Sequence, residues 1–362
     1  MSDAWRSEFE RRLRSTLADG ERHIPVVLGL CGAGRTSVLR RLQEDLGDGR
    51  CQYVNIERTA TTPERFLEAL VAASPFRPVA PMDRPQTPRA AFDSTLAFFA
   101  GARRQDGAPA TFLLDGVLEF RTFESFPGLR RALPELLQAL GSTPNRFVLA
   151  SRYLARASRV LGTMPLFVVA PMEALEDVEL SRMLRVPSAP EAAPADGPGA
   201  ASLAALVGRL CLGRPTVVRA LAATIAEMPG GNGDPVAALA AAFEPDGRIT
   251  GLCHCCYELR LHRARGYGAL KAVLEILAAE EPLTLTEVSQ RLGRTPGSTK
   301  DYLSWLEDVD LVSVQQKRYR FRDPLLRLWV RLHCRTCPPS SSEIAAGVGE
   351  YAAGLGVLVA GG

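Results

Sequence analysis

Apolar positions along the chain follow two spacings in turn. Short, mostly apolar runs recur at Ile24–Leu28, Gln52–Ile56, Ala110–Asp115, Arg146–Ala150 and Leu166–Ala170. Between them apolar residues return every three or four positions: Val38, Leu39, Leu42 and Leu46, then Phe66 to Ala73, then Phe92, Leu96 and Phe99, then Gly128 to Leu140. A run of about five apolar residues reads as a strand buried on both faces, and the longer period as a helix with one apolar stripe. Strands alternating with helices predict a parallel sheet covered on both faces, with ligands at the carboxyl ends of its strands. A further amphipathic helix is expected over residues 4–19, with Trp5, Phe9, Leu13 and Leu17 at steps of four and a solvated Arg/Glu face opposite. Thr61-Thr62-Pro63-Glu64 marks a helix start, a threonine cap followed by proline in the first turn.

The pattern changes after residue 172. Residues 74–89, rich in proline, read as a loop, and the Pro/Ala/Gly-rich residues 186–200 as a mobile linker. Helices are expected over Leu203–Leu212 and Thr216–Met228, separated by Gly213-Arg214-Pro215, and one long helical region from Pro235 to Arg265. Helices over Ala269–Ala279, Leu285–Leu292 (opening at a Thr284…Glu287 capping box) and Ser298–Glu307 follow. Alternating residues Leu311–Val314 and Arg318–Phe321 then make a hairpin, so that three helices and a hairpin predict a winged helix containing a helix-turn-helix. The expected organisation is an N-terminal helix (1–22), an α/β core (23–172), a helical region (173–265), a winged-helix domain (266–335) and a flexible tail (336–362).

The first strand and helix enclose the chain's clearest chemistry, Gly29-Leu-Cys-Gly32-Ala33-Gly34-Arg35-Thr36-Ser37. This is the spacing of a phosphate-binding P-loop. Glycines let successive N–H groups turn inward, and the helix that follows presents its positive end to the same point. Thr36 places a hydroxyl where a phosphate-bound Mg²⁺ needs oxygen. The motif's lysine is replaced by Arg35, a wide planar fork that can pair with phosphate but cannot sit where an ammonium sits. The chain holds only three lysines, Lys271, Lys300 and Lys317, so a general drift to arginine accounts for the exchange. The run ending in Asp115 reads as a Walker B strand, its carboxylate serving the Mg²⁺ shell. The acid that usually follows it is Gly116 here, and Glu119 is the nearest carboxylate downstream. Arg152, just past the strand Arg146–Ala150, is the candidate sensor of a terminal phosphate.

Length and composition narrow the class. At 362 residues with 46% apolar residues the chain holds two or three packed domains. A net charge of +3 neither requires nor excludes nucleic acid, so any basic surface is local. The absence of an apolar run of 18 residues, and a charged N-terminus, lead to the expectation of a soluble cytoplasmic protein. Eight cysteines then read as reduced thiols. Cys253-His254-Cys255-Cys256 with Cys334 and Cys337 has the letters of a zinc site, but the first cluster falls in a helical segment where adjacent side chains diverge, which argues against zinc.

With the P-loop, the Walker B and sensor strands, Gly213-Arg214-Pro215 and the segment Tyr319-Arg-Phe-Arg-Asp323-Pro324-Leu-Leu-Arg-Leu-Trp329 in view, the chain resembles signal-transduction ATPases of the AAA+/STAND superfamily over about residues 23–333. It is most similar to the archaeal-ATPase-like group, which is related to origin-recognition ATPases. The resemblance implies a five-stranded α/β P-loop NTPase core followed by a helical lid and a winged helix, with ATP or ADP and Mg²⁺ as ligands. It implies that Pro215 lies near the adenine and links nucleotide state to lid position, and that oligomerisation can accompany activation. The reading is a nucleotide-controlled switch with weak hydrolysis, since Arg35 and Gly116 both depart from the catalytic pattern. Two alternatives stand beside it: an active ATPase that remodels a protein or DNA complex, and a DNA-binding regulator or scaffold. In the last, Ser298, Thr299, Lys300 and Tyr302 on the recognition helix and Lys317 and Arg318 on the wing would meet DNA. Asp301, Glu307, Asp308 and Asp310 oppose that contact, and the domain is otherwise a clamp for protein.

Overall fold

The computed structural model describes residues 6–18, 23–47, 49–77, 85–184, 198–228, 234–262, 264 and 266–357. Trp5 and most of the Pro/Ala-rich linker lie outside these residues. The chain divides into two compact units, residues 1–30 with 34–172, and residues 31–33 with 173–362.

The first unit is built on five parallel strands: β1 (Ile24–Leu28), β2 (Cys51–Asn55), β3 (Thr111–Asp115), β4 (Arg146–Ser151) and β5 (Phe167–Pro171), in the order β2-β3-β4-β1-β5. The apolar runs become strands because both faces are covered: Val26, Val27, Leu113, Leu114, Val148 and Leu149 are fully buried or nearly so. The edge strand β5 departs from this, with Val168 and Val169 exposed. Its helices are α1 (Ser7–Ala18), α2 (Arg35–Leu46), α3 (Ile56–Thr59), α4 (Pro63–Ala72), α5 (Pro88–Gly101), α6 (Ala132–Ser142) and α7 (Leu154–Leu161). Phe9, Leu13 and Leu17 of α1 pack with Val27, Val38, Leu39 and Leu42 in one cluster, so the N-terminal helix completes the core and is no appendage. A second cluster is aromatic: Phe66 meets Phe120 edge-on at 5.0 Å, and Phe112 stacks on Phe147 at 5.5 Å. Ile56, expected to end a strand, instead begins α3, because the Asn55 side chain caps it by accepting from Arg58 N at 3.0 Å. A 3₁₀ segment, Val117–Ser125, follows β3, and α6 starts four residues later than the period suggested.

The second unit opens with α8 (Asp177–Leu184), α9 (Pro198–Leu210), α10 (Pro215–Glu227), α11 (Pro235–Ala242) and α12 (Arg248–Leu261). The last two replace the single long helix expected from Pro235 to Arg265. At the break, Gly247 N bonds back to Glu244 O at 2.7 Å, and a Cβ on Gly247 would come within 2.3 Å of Ala242 O. Gly213 also has a steric reason: its φ is +61°, and a Cβ there would lie 2.5 Å from that of Ala174.

Then come α13 (Tyr267–Ala279), the short strand β6 (Leu283–Thr284), α14 (Leu285–Leu292), α15 (Pro296–Asp308), β7 (Val312–Gln315), β8 (Arg318–Phe321) and α16 (Pro324–His333). The three strands form an antiparallel sheet in the order β6-β8-β7. Residues 336–362 were expected to be a flexible tail, and that expectation is corrected for most of their length. Ser341–Gly354 is a helix, α17, capped by a reciprocal Ser340/Glu343 box, with Ile344, Val348 and Ala352 fully buried and the helix packed on α11 and α16.

Candidate nucleotide site

The glycine-rich turn after β1 adopts the backbone its composition allows. Gly32 and Gly34 have φ of +81° and +91°, and Gly34 is the N-cap of α2. Gly29 N reaches Ser151 O of β4, and Val38 N reaches Gly34 O at 3.0 Å, starting the helix. Thr36, on the first turn of α2, donates from Oγ1 to Asp115 Oδ2 at 2.6 Å, so the hydroxyl and the strand-end carboxylate converge as the motif requires. Asp115 is largely buried. Ser37 sits beside Thr36 on the same turn, half-buried.

Arg35 does not extend as a lysine would. One guanidinium nitrogen donates to the carbonyl oxygens of Gly29 and of Leu30, the latter at 2.7 Å, so the fork braces the start of the turn. Cys31, Gly32 and Ala33 group with the second unit, where Thr216 N donates to Gly32 O at 3.2 Å. Pro215 is the first residue of α10, next to that contact.

The residues around Asp115 include two that sequence reasoning missed. Tyr53 of β2 donates its hydroxyl to Asp115 Oδ2 at 2.9 Å, with the Arg40 guanidinium 3.7 Å from its ring centroid. Burial, with the neighbouring Asp115 charge, pushes its phenol up to about 12. The other is Glu57. In the sheet register Asn55 and Ala150 both pair with Asp115, from β2 and β4 on either side. Glu57 and Arg152 each lie two residues further on, and they form an ion pair. Gly116 lies beside the pair with φ +81°, and a Cβ there would come within 3.6 Å of Glu57 Cβ. Glu119 lies in the 3₁₀ segment, its backbone N bonded to Gly116 O at 2.9 Å. The strand order β2-β3-β4 makes Glu57 and Arg152 neighbours, and that order is not written in any local pattern.

The oxygens present suit a nucleotide's Mg²⁺. Thr36 and Asp115 supply a hydroxyl and a carboxylate at one point, and among the described residues no group of three or more His, Cys, Asp or Glu forms a cage of its own, so phosphate oxygens would complete the shell.

The expected DNA-facing residues fare unevenly. Lys300 and Lys317 are exposed, and Lys317 with Gln316 forms the hairpin tip at positive φ. Thr299 is corrected: it is fully buried, and its Oγ1 donates to Thr295 O at 3.0 Å, because a threonine one turn into α15 faces the helix's own cap. Ser298 Oγ likewise donates to Thr295 O at 3.1 Å, Tyr302 lies against Gly266, and Arg318 donates to Pro282 O at 3.1 Å.

The chain matches no protein-family model and no curated protein. Among solved structures, the Walker-type ATPase PABY2304 of Pyrococcus abyssi matches with a TM-score of 0.64 at 16% identity, covering 90% of this chain and 95% of that one. PCH-2 of C. elegans (12% identity, 66% of this chain, 63% of that one) and Drosophila ORC bound to DNA (14%, 99% and 100%) reach TM-scores of 0.35 only. The first likeness shows the fold: the chain has a P-loop ATPase fold, an α/β core with a five-stranded parallel sheet. No helix among the described residues is long and apolar enough to cross a membrane.

Proposed function

We propose that this chain is a nucleotide-controlled switch of the signal-transduction ATPase type, with residues 266–335 as a winged-helix effector. The observation that carries it is the meeting of Thr36 and Asp115 at 2.6 Å at the start of α2, behind a turn whose glycines hold left-handed backbone. The backbone N–H groups of Gly32 to Ser37 would hold the phosphates, and Thr36 and Asp115 the Mg²⁺. Bound Mg²⁺ neutralises charge on the phosphates. Tyr53 fixes the Asp115 carboxylate by its hydrogen bond. Arg152 supplies state dependence: its guanidinium is paired with Glu57, and a γ-phosphate would compete for the same fork, whereas ADP would leave the pair intact. Differential contact of this kind is what a switch needs.

Titration of the purified chain with a fluorescent ATP analogue tests the reading, with and without Mg²⁺. Saturable, Mg²⁺-dependent binding is expected, weakened at least about tenfold by Thr36→Ala and by Asp115→Asn, the effect expected of a lost metal ligand and its partner. Arg152→Ala is expected to bring the affinities for ATP and ADP together. Absence of saturable binding by the native chain would overturn the proposal.

A further inference from the structure

Resting on the nucleotide-site reading, we infer that Glu57 is the general base of a slow ATP hydrolysis at this site, held in reserve by Arg152. The residue after the Walker B aspartate carries no side chain here, yet a carboxylate stands beside it. Glu57 follows β2, the strand adjacent to β3, and the register places it two residues past Asn55, the partner of Asp115. Its Cβ lies 3.6 Å from where a Cβ of residue 116 would be. It is about one-third exposed, open to the water it would activate, while Arg152 is largely buried. A side chain at 116 would start in van der Waals contact with Glu57, so the missing acid and the nearby one occupy neighbouring positions. Glu119, three residues downstream, also comes near this point, with its Cγ 3.8 Å away.

The chemistry balances without a further reagent. Water attacks the γ-phosphorus, and a new P–O bond forms as the bond to the β–γ bridging oxygen breaks. ADP leaves with that electron pair, and the water's proton passes to the Glu57 carboxylate and from there to solvent. In the structure the carboxylate is tied to Arg152, which lowers its use as a base. A γ-phosphate that draws Arg152 to itself releases Glu57 at the moment a base is required. ADP carries no such group, so the pair re-forms after each turnover.

The test compares the full-length native chain with Glu57→Gln, Glu57→Asp and Glu119→Gln, measuring phosphate release, analogue affinity and thermal melting on each. The native chain is expected to release phosphate slowly. Glu57→Gln should lose at least about 100-fold of that rate, the usual contribution of a positioned base. Its analogue affinity should stay within about threefold of native, a separation that a merely structural role would not produce. Glu57→Asp keeps the charge but withdraws the carboxylate, so it should retain part of the rate with an unchanged melting curve and serves if Glu57→Gln is unstable. Glu119→Gln should lose far less of the rate than Glu57→Gln; the reverse order would make Glu119 the base and overturn the inference. Turnover by Glu57→Gln at the native rate, or a native chain that binds the analogue tightly and never releases phosphate, would overturn the inference and leave the nucleotide site standing. Absence of binding by the native chain would remove the site reading, and this inference with it.

Discussion

Gly116 decides more by its backbone than by its missing side chain. Its φ of +81° lies in the left-handed region, and it is the N-cap of the 3₁₀ segment after β3. An L-residue there costs about 1–2 kcal/mol from the clash of Cβ with its own carbonyl. Gly116→Ala should therefore lower stability by about that amount in denaturant unfolding, although its methyl meets nothing closer than 3.6 Å. Gly116→Glu carries the same strain and crowds Glu57, so phosphate release should fall or stay level; a rise would show that position 116 is an ordinary vacant acid site. From sequence, Gly116 reads as a loss. The position of Glu57 was not legible, because it follows from which strands are neighbours, and pairing across a parallel sheet leaves no local spacing to read. Arg35, Thr36 and Asp115 were legible, because the motif's spacing along one strand–turn–helix carries them.

Among elements, the start of α16 is tied to the start of α10. Arg214, between Gly213 and Pro215, reaches Asp323 in a two-pronged pair at 2.5 and 3.0 Å, both side chains largely buried. Burial opposes the charge on Arg214, and the Asp323 carboxylate more than restores it, so its pKa is raised. Asp323 also caps α16 by accepting from Leu325 N at 3.0 Å. Asp323→Ala should thus cost about 3–5 kcal/mol, chiefly from a buried guanidinium left unpaired. The double variant Arg214→Met/Asp323→Leu should recover much of that. Urea unfolding followed by fluorescence suits the test, since Trp305 and Trp329, two of the chain's three tryptophans, lie in this unit. If the single and double variants lose equal stability, the pair is not what joins these elements. Both motif halves stand out in the sequence as Gly-x-Pro and Asp-Pro, 109 residues apart, but their contact does not. The helix caps show the same limit from the other side. The Thr284/Glu287 box is legible and forms, whereas Ser340-Ser-Ser-Glu343 has the same form but sits beside prolines and small residues that read as tail.

At the scale of the whole molecule, charge argues against a general nucleic-acid-binding surface. A net charge of +3 over 362 residues supplies no general field for nucleic acid, so a DNA reader would need a dense local patch. The residues that could form one are largely committed. Thr299 is buried, Ser298 is bonded to its own cap, and Arg318, though exposed, donates to Pro282 O, which leaves Lys300 and Lys317 as the exposed lysines of the expected set. Asp301, exposed beside Lys300, offsets that charge, while Asp310 is buried and engaged by Arg322. Each phosphate neutralised contributes about −0.9 to the slope of log affinity against log salt, so two lysines can give no more than about −2. Fluorescence anisotropy with a labelled duplex between about 50 and 200 mM salt, where a protein with 6–10 phosphate contacts loses about 10³–10⁵ in affinity, reads this directly. Weak binding with a slope no steeper than about −2, falling to no steeper than about −1 in Lys317→Ala, is the expected result. A slope near −6 that falls by about one unit for each of Lys300→Ala and Lys317→Ala would instead make this face a DNA reader, with phosphate contacts beyond the expected set. Adding ATP to the same titration extends the test, because a switch that exposes a DNA-binding face would steepen the slope only with nucleotide bound, whereas a protein clamp would leave it flat in both states.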